Sequence, residues 1–277
     1  MLRIGTLVRA QSVDEAYQLL QSRKGSKVIG GGMWMRLSDR TIPVAIDLSD
    51  CALDAIEETD DAFVVGAYAS LRSLERHEGL AALTGGALAH ALRDIVGPQM
   101  RERATVGGSL YGRFGFSDVL CVLLALDCDV ELAGAGRIPL ADFAASPYER
   151  DIVVRLIIRK HGYRASYACL RKAATDFPTL NVCAAHWAGS WHLAVGARPC
   201  RALAIPGDEA GLVSERPGDS ELAALAEALK GLPFGSNMWG SARFRRHLAG
   251  VLGVRAVCCA AGIPVPVEFS SDPEVSA

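Results

Sequence analysis

Two glycine-rich segments of the sequence carry the residue types best suited to chemistry. In the first, KVIGGGMWM (residues 27–35), three glycines follow the β-branched residues Val28 and Ile29. Consecutive glycines after a strand leave backbone N–H groups able to point into one concavity, because no Cβ blocks the approach and positive φ angles are permitted. Such a concavity suits a phosphate group. A simple turn without a ligand is the alternative for this segment taken alone.

The second segment, RATVGGS (residues 103–109), strengthens the phosphate interpretation. Two glycine segments on one domain are what a bridging pyrophosphate would need. Neither segment has the G-x-G-x-x-G pattern of a Rossmann helix or the Gly-Lys-Ser/Thr ending of a Walker A loop. The sequence therefore disfavours Rossmann and P-loop proteins.

A pair of polar residues, Ser117 and Asp118, stands directly before the apolar run VLCVLLAL (residues 119–126). These side chains could contact a ligand. They could also form an N-terminal cap on the helix that follows, in which case the loss of Asp118 would cost about 1 kcal/mol. One residue can serve both roles.

The elements around these segments alternate between strands and helices before residue 160. Ser12 and the apolar spacing of residues 13–23 predict a helix, which leads into a strand at residues 27–31. Further strands are predicted at 43–49, 62–70 and 151–160, with helices at 71–92 and 118–127. The segments YRASYACL and TLNVCAAHWAGSWHLAVGA alternate like antiparallel strands. Helices at 219–232 and 241–262, each with an apolar stripe, complete the chain.

Composition limits the class of protein. The chain has 277 residues, of which 50% are hydrophobic, and a formal net charge of −2. This balance does not indicate a nucleic-acid surface or a polybasic membrane patch. No apolar run is long enough for a membrane span or resembles a signal peptide, so a cytoplasmic protein is expected. The eight cysteines lack metal-ligand spacing and are expected to be buried free thiols.

Taken in order, several of these segments resemble one protein family. They are the Gly-Gly-Gly segment, QMRERATVGGS, SDVLCVLLAL, YACLRKAATDFPTLNVCAA and SARFRRHLAGVLGVRA. All resemble the FAD-binding subunit or domain of molybdenum hydroxylases, the enzymes similar to xanthine dehydrogenase, carbon monoxide dehydrogenase and nicotinate dehydrogenase. The resemblance extends over nearly the whole chain, and the TVGGS block with the later Ser-Asp is its most specific part.

The resemblance implies an α+β fold with a PCMH-type FAD-binding domain followed by an α+β domain with an antiparallel sheet and helices. The FAD-binding domain is expected at residues 1–162, as two α/β subdomains divided near residue 55 with FAD between them. The second domain is expected at residues 163–270, and a polar tail at 271–277. The family also implies two partners: an iron–sulfur subunit with two [2Fe–2S] clusters and a large molybdopterin subunit.

The resemblance also assigns binding residues. Backbone amides of the first segment would hold the pyrophosphate of FAD, although Met33 and Trp34 stand where many relatives have Thr or Ser. Asp118, with Ser117 beside it, would accept a hydrogen bond from a sugar-type hydroxyl. In the LRKAATDF segment Cys169 replaces a frequent Lys, so Lys172, or Arg171, would supply a cation near the flavin ring; a solvated surface cation is the alternative. The full predicted set is Val28, Ile29, Gly30, Gly31, Gly32, Met33, Trp34, Met35, Thr105, Gly107, Gly108, Ser109, Ser117, Asp118, Val153 and Lys172.

The expected function is electron transfer. A flavin can accept single electrons from iron–sulfur clusters and pass two to an acceptor such as NAD. Such a subunit needs no catalytic nucleophile or base of its own, and the sequence has no G-x-S-x-G or H-E-x-x-H motif. Two alternatives remain: a stand-alone FAD reductase on the same fold, and a structural or assembly subunit without FAD.

Overall fold

The computed structural model describes residues 1–270, so the predicted polar tail at 271–277 lies outside the described residues. The strands of this part of the chain are β1 (Arg3–Arg9), β2 (Lys27–Ile29), β3 (Thr41–Asp47), β4 (Ile56–Glu58), β5 (Ala62–Gly66), β6 (Cys128–Leu132), β7 (Gly136–Pro139), β8 (Val153–Arg159), β9 (Arg164–Arg171), β10 (Pro178–Trp187), β11 (Ser190–Gly196) and β12 (Leu203–Pro206). Its α-helices are α1 (Val13–Ser22), α2 (Leu71–Arg76), α3 (Glu78–Leu83), α4 (Ala87–Arg93), α5 (Pro98–Arg103), α6 (Val106–Gly112), α7 (Asp118–Leu124), α8 (Leu140–Ala145), α9 (Asp219–Lys230) and α10 (Ala242–Ala261).

The chain divides into two compact units whose segments interleave along the sequence. The first unit comprises Met1–Arg76, Val96–Gly112 and Cys128–Lys160. The second comprises His77–Ile95, Arg113–Asp127 and the chain from His161 onward. One division thus falls close to the predicted boundary at residue 162, while two earlier segments group with the later part of the chain.

The first unit begins with a three-stranded parallel sheet in the order β1-β3-β2. Helix α1 connects β1 to β2; Ser12 caps it by accepting a hydrogen bond from the amide of Glu15 at 3.1 Å. Its apolar stripe buries Ala16 and Leu20 in a core that contains Ile46 of β3. Because the strands are parallel, their carboxyl ends meet at one edge, and the first glycine segment leaves β2 at that edge.

A five-stranded antiparallel sheet in the order β4-β5-β8-β6-β7 forms the rest of the first unit. Its inner strands β5 and β8 are largely apolar and buried, and Phe63 of β5 pairs with Ile158 of β8. Residues 67–71 follow β5 and lead into helix α2. The amide of Ala67 donates to the carbonyl of Val154 at 2.9 Å, which holds this exit against β8.

The second unit contains a four-stranded antiparallel sheet in the order β12-β11-β10-β9. Leu180, Val182 and Ala184 of β10 share a core with α9 and α10. The intervening residues, including Asn181, point to the other face, where α4 and α7 contact the sheet. The parallel and antiparallel sheets with flanking helices confirm the predicted α+β fold class.

Three features differ from the sequence-based expectation. The helix predicted over 71–92 is divided into α2, α3 and α4, because His77 caps α3 and Gly85 and Gly86 adopt φ angles of +56° and +81°. The second glycine segment, where the sequence predicts no helix, forms the start of helix α6. The cysteines are free thiols, but only part of them are buried: Cys121, Cys128, Cys183 and Cys258.

Candidate functional site

The first glycine segment lies in the first unit, immediately after β2. Gly32 adopts a φ of +67°, and a Cβ built there has nothing within 4 Å, so the backbone faces open space at this point. Among residues 1–270, none accepts a hydrogen bond from the amides of Gly31, Gly32 or Met33. Backbone N–H groups need a partner, and successive unpartnered amides form a concavity for an anion. This geometry fits a phosphate group.

The glycines of the second segment have no such amides to offer. The amide of Val106 donates to the carbonyl of Ala69 at 2.9 Å, and that of Gly107 donates to the carbonyl of Ala67 at 2.8 Å. The amide of Gly108 donates to Oγ1 of Thr105 at 3.2 Å. These hydrogen bonds satisfy the first turn of α6 from within the chain.

The side chains of the second segment are also occupied. Ser109 donates its hydroxyl to the carbonyl of Thr105 at 2.9 Å, and both residues are buried. A Cβ at Gly107 would lie 2.6 Å from the Cβ of Ala67, so the glycine allows close packing. The segment therefore acts as a support in this structure.

The two glycine segments touch each other, and this contact explains two of the three consecutive glycines. A Cβ at Gly30 would overlap Oγ1 of Thr105, and one at Gly31 would overlap the carbonyl oxygen of Arg103. The sequence alone attributes all three glycines to a ligand. In the structure, Gly30 and Gly31 are required by the neighbouring backbone and side chain, and Gly32 by its positive φ.

Sequence reasoning missed Tyr68, which contacts the start of the first segment. Its hydroxyl oxygen lies 2.6 Å from Oδ1 of Asp47 and within hydrogen-bond distance of the carbonyl of Ile29. It also accepts a hydrogen bond from the amide of Leu48 at 3.1 Å. A tyrosine within AYAS after a strand carries no local signal of this role, because its partners are distant in the sequence.

Val153 is the remaining predicted residue of the first unit. It is the first residue of β8, pairs with Leu132 of β6 and is only 5% exposed. The pairing shifts register between Glu131 and Leu132. The side chain thus belongs to the core, and any ligand contact would involve the main chain alone.

Ser117 and Asp118 lie in the second unit and have separate roles. Ser117 is the N-cap of α7, since its Oγ accepts a hydrogen bond from the amide of Leu120 at 3.0 Å. Asp118 is only 5% exposed. Its Oδ1 lies 2.9 Å from a guanidinium nitrogen of Arg171. The same oxygen accepts hydrogen bonds from the side-chain Nδ2 of Asn181 at 2.9 Å and from the hydroxyl of Tyr167.

Three side chains, those of Arg171, Tyr167 and Asn181, bind the buried carboxylate of Asp118. Burial raises the pKa of Asp118 above its ordinary value, against the opposing effects of Arg171, Tyr167 and Asn181. Burial of this kind is tolerated only where the charge is paired and hydrogen-bonded. Asp118 is therefore more than a capping residue, because its carboxylate joins α7 to β9 and β10.

Lys172 lies just after β9 and is exposed. Its ammonium donates to the carbonyl of Met238 at 2.8 Å. Arg171 points inward, where it pairs with Asp118 and donates to the carbonyl of Asp176 at 2.7 Å. Burial raises the pKa of the Cys169 thiol to about 12, so this residue cannot replace the charge of a lysine. Of these residues, Lys172 is the exposed cation.

No helix of the described residues is both long and apolar enough to cross a membrane.

Comparison with known proteins places these features in a family. Residues 3–160 match the family model described as the FAD binding domain in molybdopterin dehydrogenase. The chain is 28% identical over 252 residues to the protein YgfM of Escherichia coli K12, covering 88% of this chain and 92% of YgfM. It is 28% identical over 260 residues to the nicotine 6-hydroxylase medium subunit of Paenarthrobacter nicotinovorans, covering 86% and 90% of the two chains. A solved structure of carbon monoxide dehydrogenase from Hydrogenophaga pseudoflava is similar in fold, with a TM-score of 0.84 and 22% identity over 94% of this chain and 98% of that chain.

Proposed function

Because the chain belongs to the family of FAD-binding domains in molybdopterin dehydrogenases, we propose that it is the FAD-carrying electron-transfer subunit of a molybdenum hydroxylase. The relatives named as a nicotine 6-hydroxylase subunit and a carbon monoxide dehydrogenase support this assignment. The bound FAD would accept single electrons and release them in pairs. This chain contributes the binding site for FAD and the surroundings of its ring.

The observation that carries the proposal is the set of amides at Gly31, Gly32 and Met33. They follow a strand at the carboxyl edge of a parallel sheet, where α/β proteins bind ligands. They lack protein acceptors within the described residues, and Gly32 faces open space. The pyrophosphate of FAD would accept hydrogen bonds from these amides. Met33 and Trp34 offer no hydroxyl, so recognition here depends on the backbone.

The second glycine segment would act by supporting the first. Thr105 and the carbonyl of Arg103 lie against Gly30 and Gly31, so closely that a Cβ on either glycine would overlap them. This contact fixes the backbone that carries the three amides, and preorganised donors bind an anion with less loss of entropy. The predicted contacts of Ser117, Asp118, Val153 and Lys172 with FAD stay predictions.

The partners and the electron acceptor follow from the family. The other subunits would be an iron–sulfur subunit that supplies single electrons and a molybdopterin subunit where substrate is hydroxylated. The final acceptor would be a two-electron carrier such as NAD. In this scheme the exposed ammonium of Lys172 would lie beside the flavin ring and would favour the reduced, negatively charged form of that ring.

A pair of matched substitutions tests the phosphate site. Gly32→Ala places a methyl group beside the unpartnered amides, and Gly136→Ala places one at a hairpin position with a similar φ of +71° and equally open surroundings. Each is expected to lower the free energy of unfolding by about 1 kcal/mol, because both put alanine in the left-handed region. Only Gly32→Ala is expected to weaken FAD binding, by roughly tenfold or about 1.4 kcal/mol. Fluorescence titration of FAD and chemical denaturation measure the two effects.

Two outcomes would contradict the phosphate site. If Gly32→Ala binds FAD as tightly as the unchanged chain, the three amides do not hold the pyrophosphate. If Gly136→Ala weakens FAD binding to the same extent, the effect of Gly32→Ala reports backbone strain and not a local site.

Expression without partners tests the proposed place in an enzyme complex. Alone, the chain is expected to bind FAD and to hydroxylate no substrate, because its sequence has no cluster-binding cysteine pattern. Coexpressed with the products of neighbouring genes, it is expected to copurify with molybdenum and iron. A chain that stays alone beside those products, and reduces a small substrate with NADPH, would instead be the stand-alone FAD reductase.

A further inference from the structure

Tyr68 occupies a position between the two glycine segments. Its phenol reaches the carbonyl of Ile29, the residue immediately before Gly30, and Oδ1 of Asp47 at the end of β3. The amide of Leu48 donates to the same phenol oxygen at 3.1 Å. One side chain therefore ties the exit of β2 to the exit of β3.

The hydrogen bond to Ile29 bears directly on the orientation of the glycine backbone. The carbonyl of Ile29 and the amide of Gly30 belong to one planar peptide group, so a partner that fixes the carbonyl also fixes the amide. Burial, reinforced by Asp47, raises the pKa of Tyr68 well above its usual value. The phenol thus keeps its proton and remains a hydrogen-bond donor under ordinary conditions.

The backbone around Tyr68 contacts the second glycine segment. The carbonyls of Ala67 and Ala69 accept hydrogen bonds from Gly107 and Val106 at 2.8 and 2.9 Å. The amide of Leu71 donates to the carbonyl of Ala104 at 2.8 Å. Residues 67–71 therefore bind the second segment through their backbone and the first through the side chain of Tyr68.

We propose that Tyr68 is a positioning residue for pyrophosphate recognition, which holds the first glycine segment at a fixed distance from the second. The inference rests on the proposed function, because it concerns the peptide group that leads directly into the amides of Gly31, Gly32 and Met33. Tyr68 acts through the peptide group of Ile29 and Gly30 and does not itself contact the ligand. Its ring also packs against the core around Ile46 and Val154, so a role in packing alone is the competing explanation.

Tyr68→Phe separates the two explanations, because it keeps the ring and removes only the hydroxyl. The full-length chain is titrated with FAD, with ADP, which contains the pyrophosphate and adenosine of FAD, and with riboflavin, which contains no phosphate. Affinity for FAD and ADP is expected to fall about tenfold, while affinity for riboflavin stays unchanged. A role in packing alone would not separate phosphate-containing ligands from riboflavin.

Tyr148→Phe is the matched control. It removes a tyrosine hydroxyl that donates to the carbonyl of Gly112, at the end of α6 and outside both glycine segments. All three affinities are expected to stay the same in this variant. If Tyr68→Phe does not fold, Asp47→Asn takes its place. The phenol has one proton, which Asp47 and the carbonyl of Ile29 both accept, so the weaker acceptor directs that proton to Ile29 and is expected to raise the ratio of FAD to riboflavin affinity. An unchanged or lower ratio would overturn the positioning role.

The outcomes distinguish this inference from the function on which it rests. If the unchanged chain binds FAD and ADP, and Tyr68→Phe keeps both affinities or lowers all three equally, the positioning role is overturned and the proposed function stands. If the unchanged chain binds none of the three ligands, the proposed function fails and the inference fails with it.

Discussion

Replacement of Asp118 with alanine is expected to lower the free energy of unfolding by about 3–5 kcal/mol, the usual cost of removing one partner from a buried ion pair. Asp118 and Arg171 have side chains only 6% and 10% exposed, so solvent does little to screen the charge that remains. The substitution leaves the guanidinium of Arg171 facing a cavity and removes an acceptor from Tyr167 and Asn181. Chemical denaturation of the FAD-free chain measures the loss.

Asp14→Ala is the matched control for Asp118→Ala. Asp14 also lies in the first turn of a helix, α1, but it is exposed. Its loss is expected to cost about 0.5 kcal/mol through the helix dipole alone. A second check adds Arg171→Met to Asp118→Ala, which should recover part of the stability by removing the uncompensated charge. Equal losses for Asp14→Ala and Asp118→Ala would show that Asp118 only supports the start of its helix.

The sequence predicts those parts of the fold whose causes are local. Ser12 and the apolar spacing after it predict α1, and the alternation in TLNVCAAHWAGSWHLAVGA predicts β10 and β11. The helix predicted over 71–92 fails where Gly85 and Gly86 take positive φ angles, which apolar periodicity does not reveal. Strand β1 was missed because most of its residues are exposed, so it lacks the alternation of a half-buried strand.

The sequence predicts where the candidate site lies, but it does not predict which of its groups are already bonded within the chain. Glycine content points to both segments, yet only the structure shows that the second is the first turn of a helix whose amides are already bonded. Ser117 caps α7, which the sequence offers as the alternative to its predicted contact with FAD. The partners of Tyr68 and Asp118 lie tens of residues away, and such long-range pairs follow from packing, which a single sequence does not display.

Replacement of Gly31 with alanine is expected to abolish tight FAD binding and to destabilise the first unit. A Cβ at Gly31 would overlap the carbonyl oxygen of Arg103, which is backbone at the end of α5 and cannot rotate away. The two glycine segments would have to separate, at a cost of about 3 kcal/mol, which is the upper range for overpacking. Because the three amides move with this backbone, the affinity for FAD should fall by roughly a hundredfold, or about 2.7 kcal/mol. Titration with FAD and thermal denaturation measure both effects.

Gly30→Ala provides the contrast, because its Cβ would meet the side chain of Thr105 and not a backbone atom. Adding Thr105→Ala should therefore restore part of the FAD affinity of Gly30→Ala, less the hydrogen bond that Thr105 accepts from the amide of Gly108. Adding Arg103→Ala to Gly31→Ala should restore nothing, since alanine has the same carbonyl group. Recovery of binding in that second pair would mean that the side chain of Arg103, and not its backbone, sets the distance between the two segments. The need for glycine at position 31 would then arise from that side chain and not from the carbonyl group.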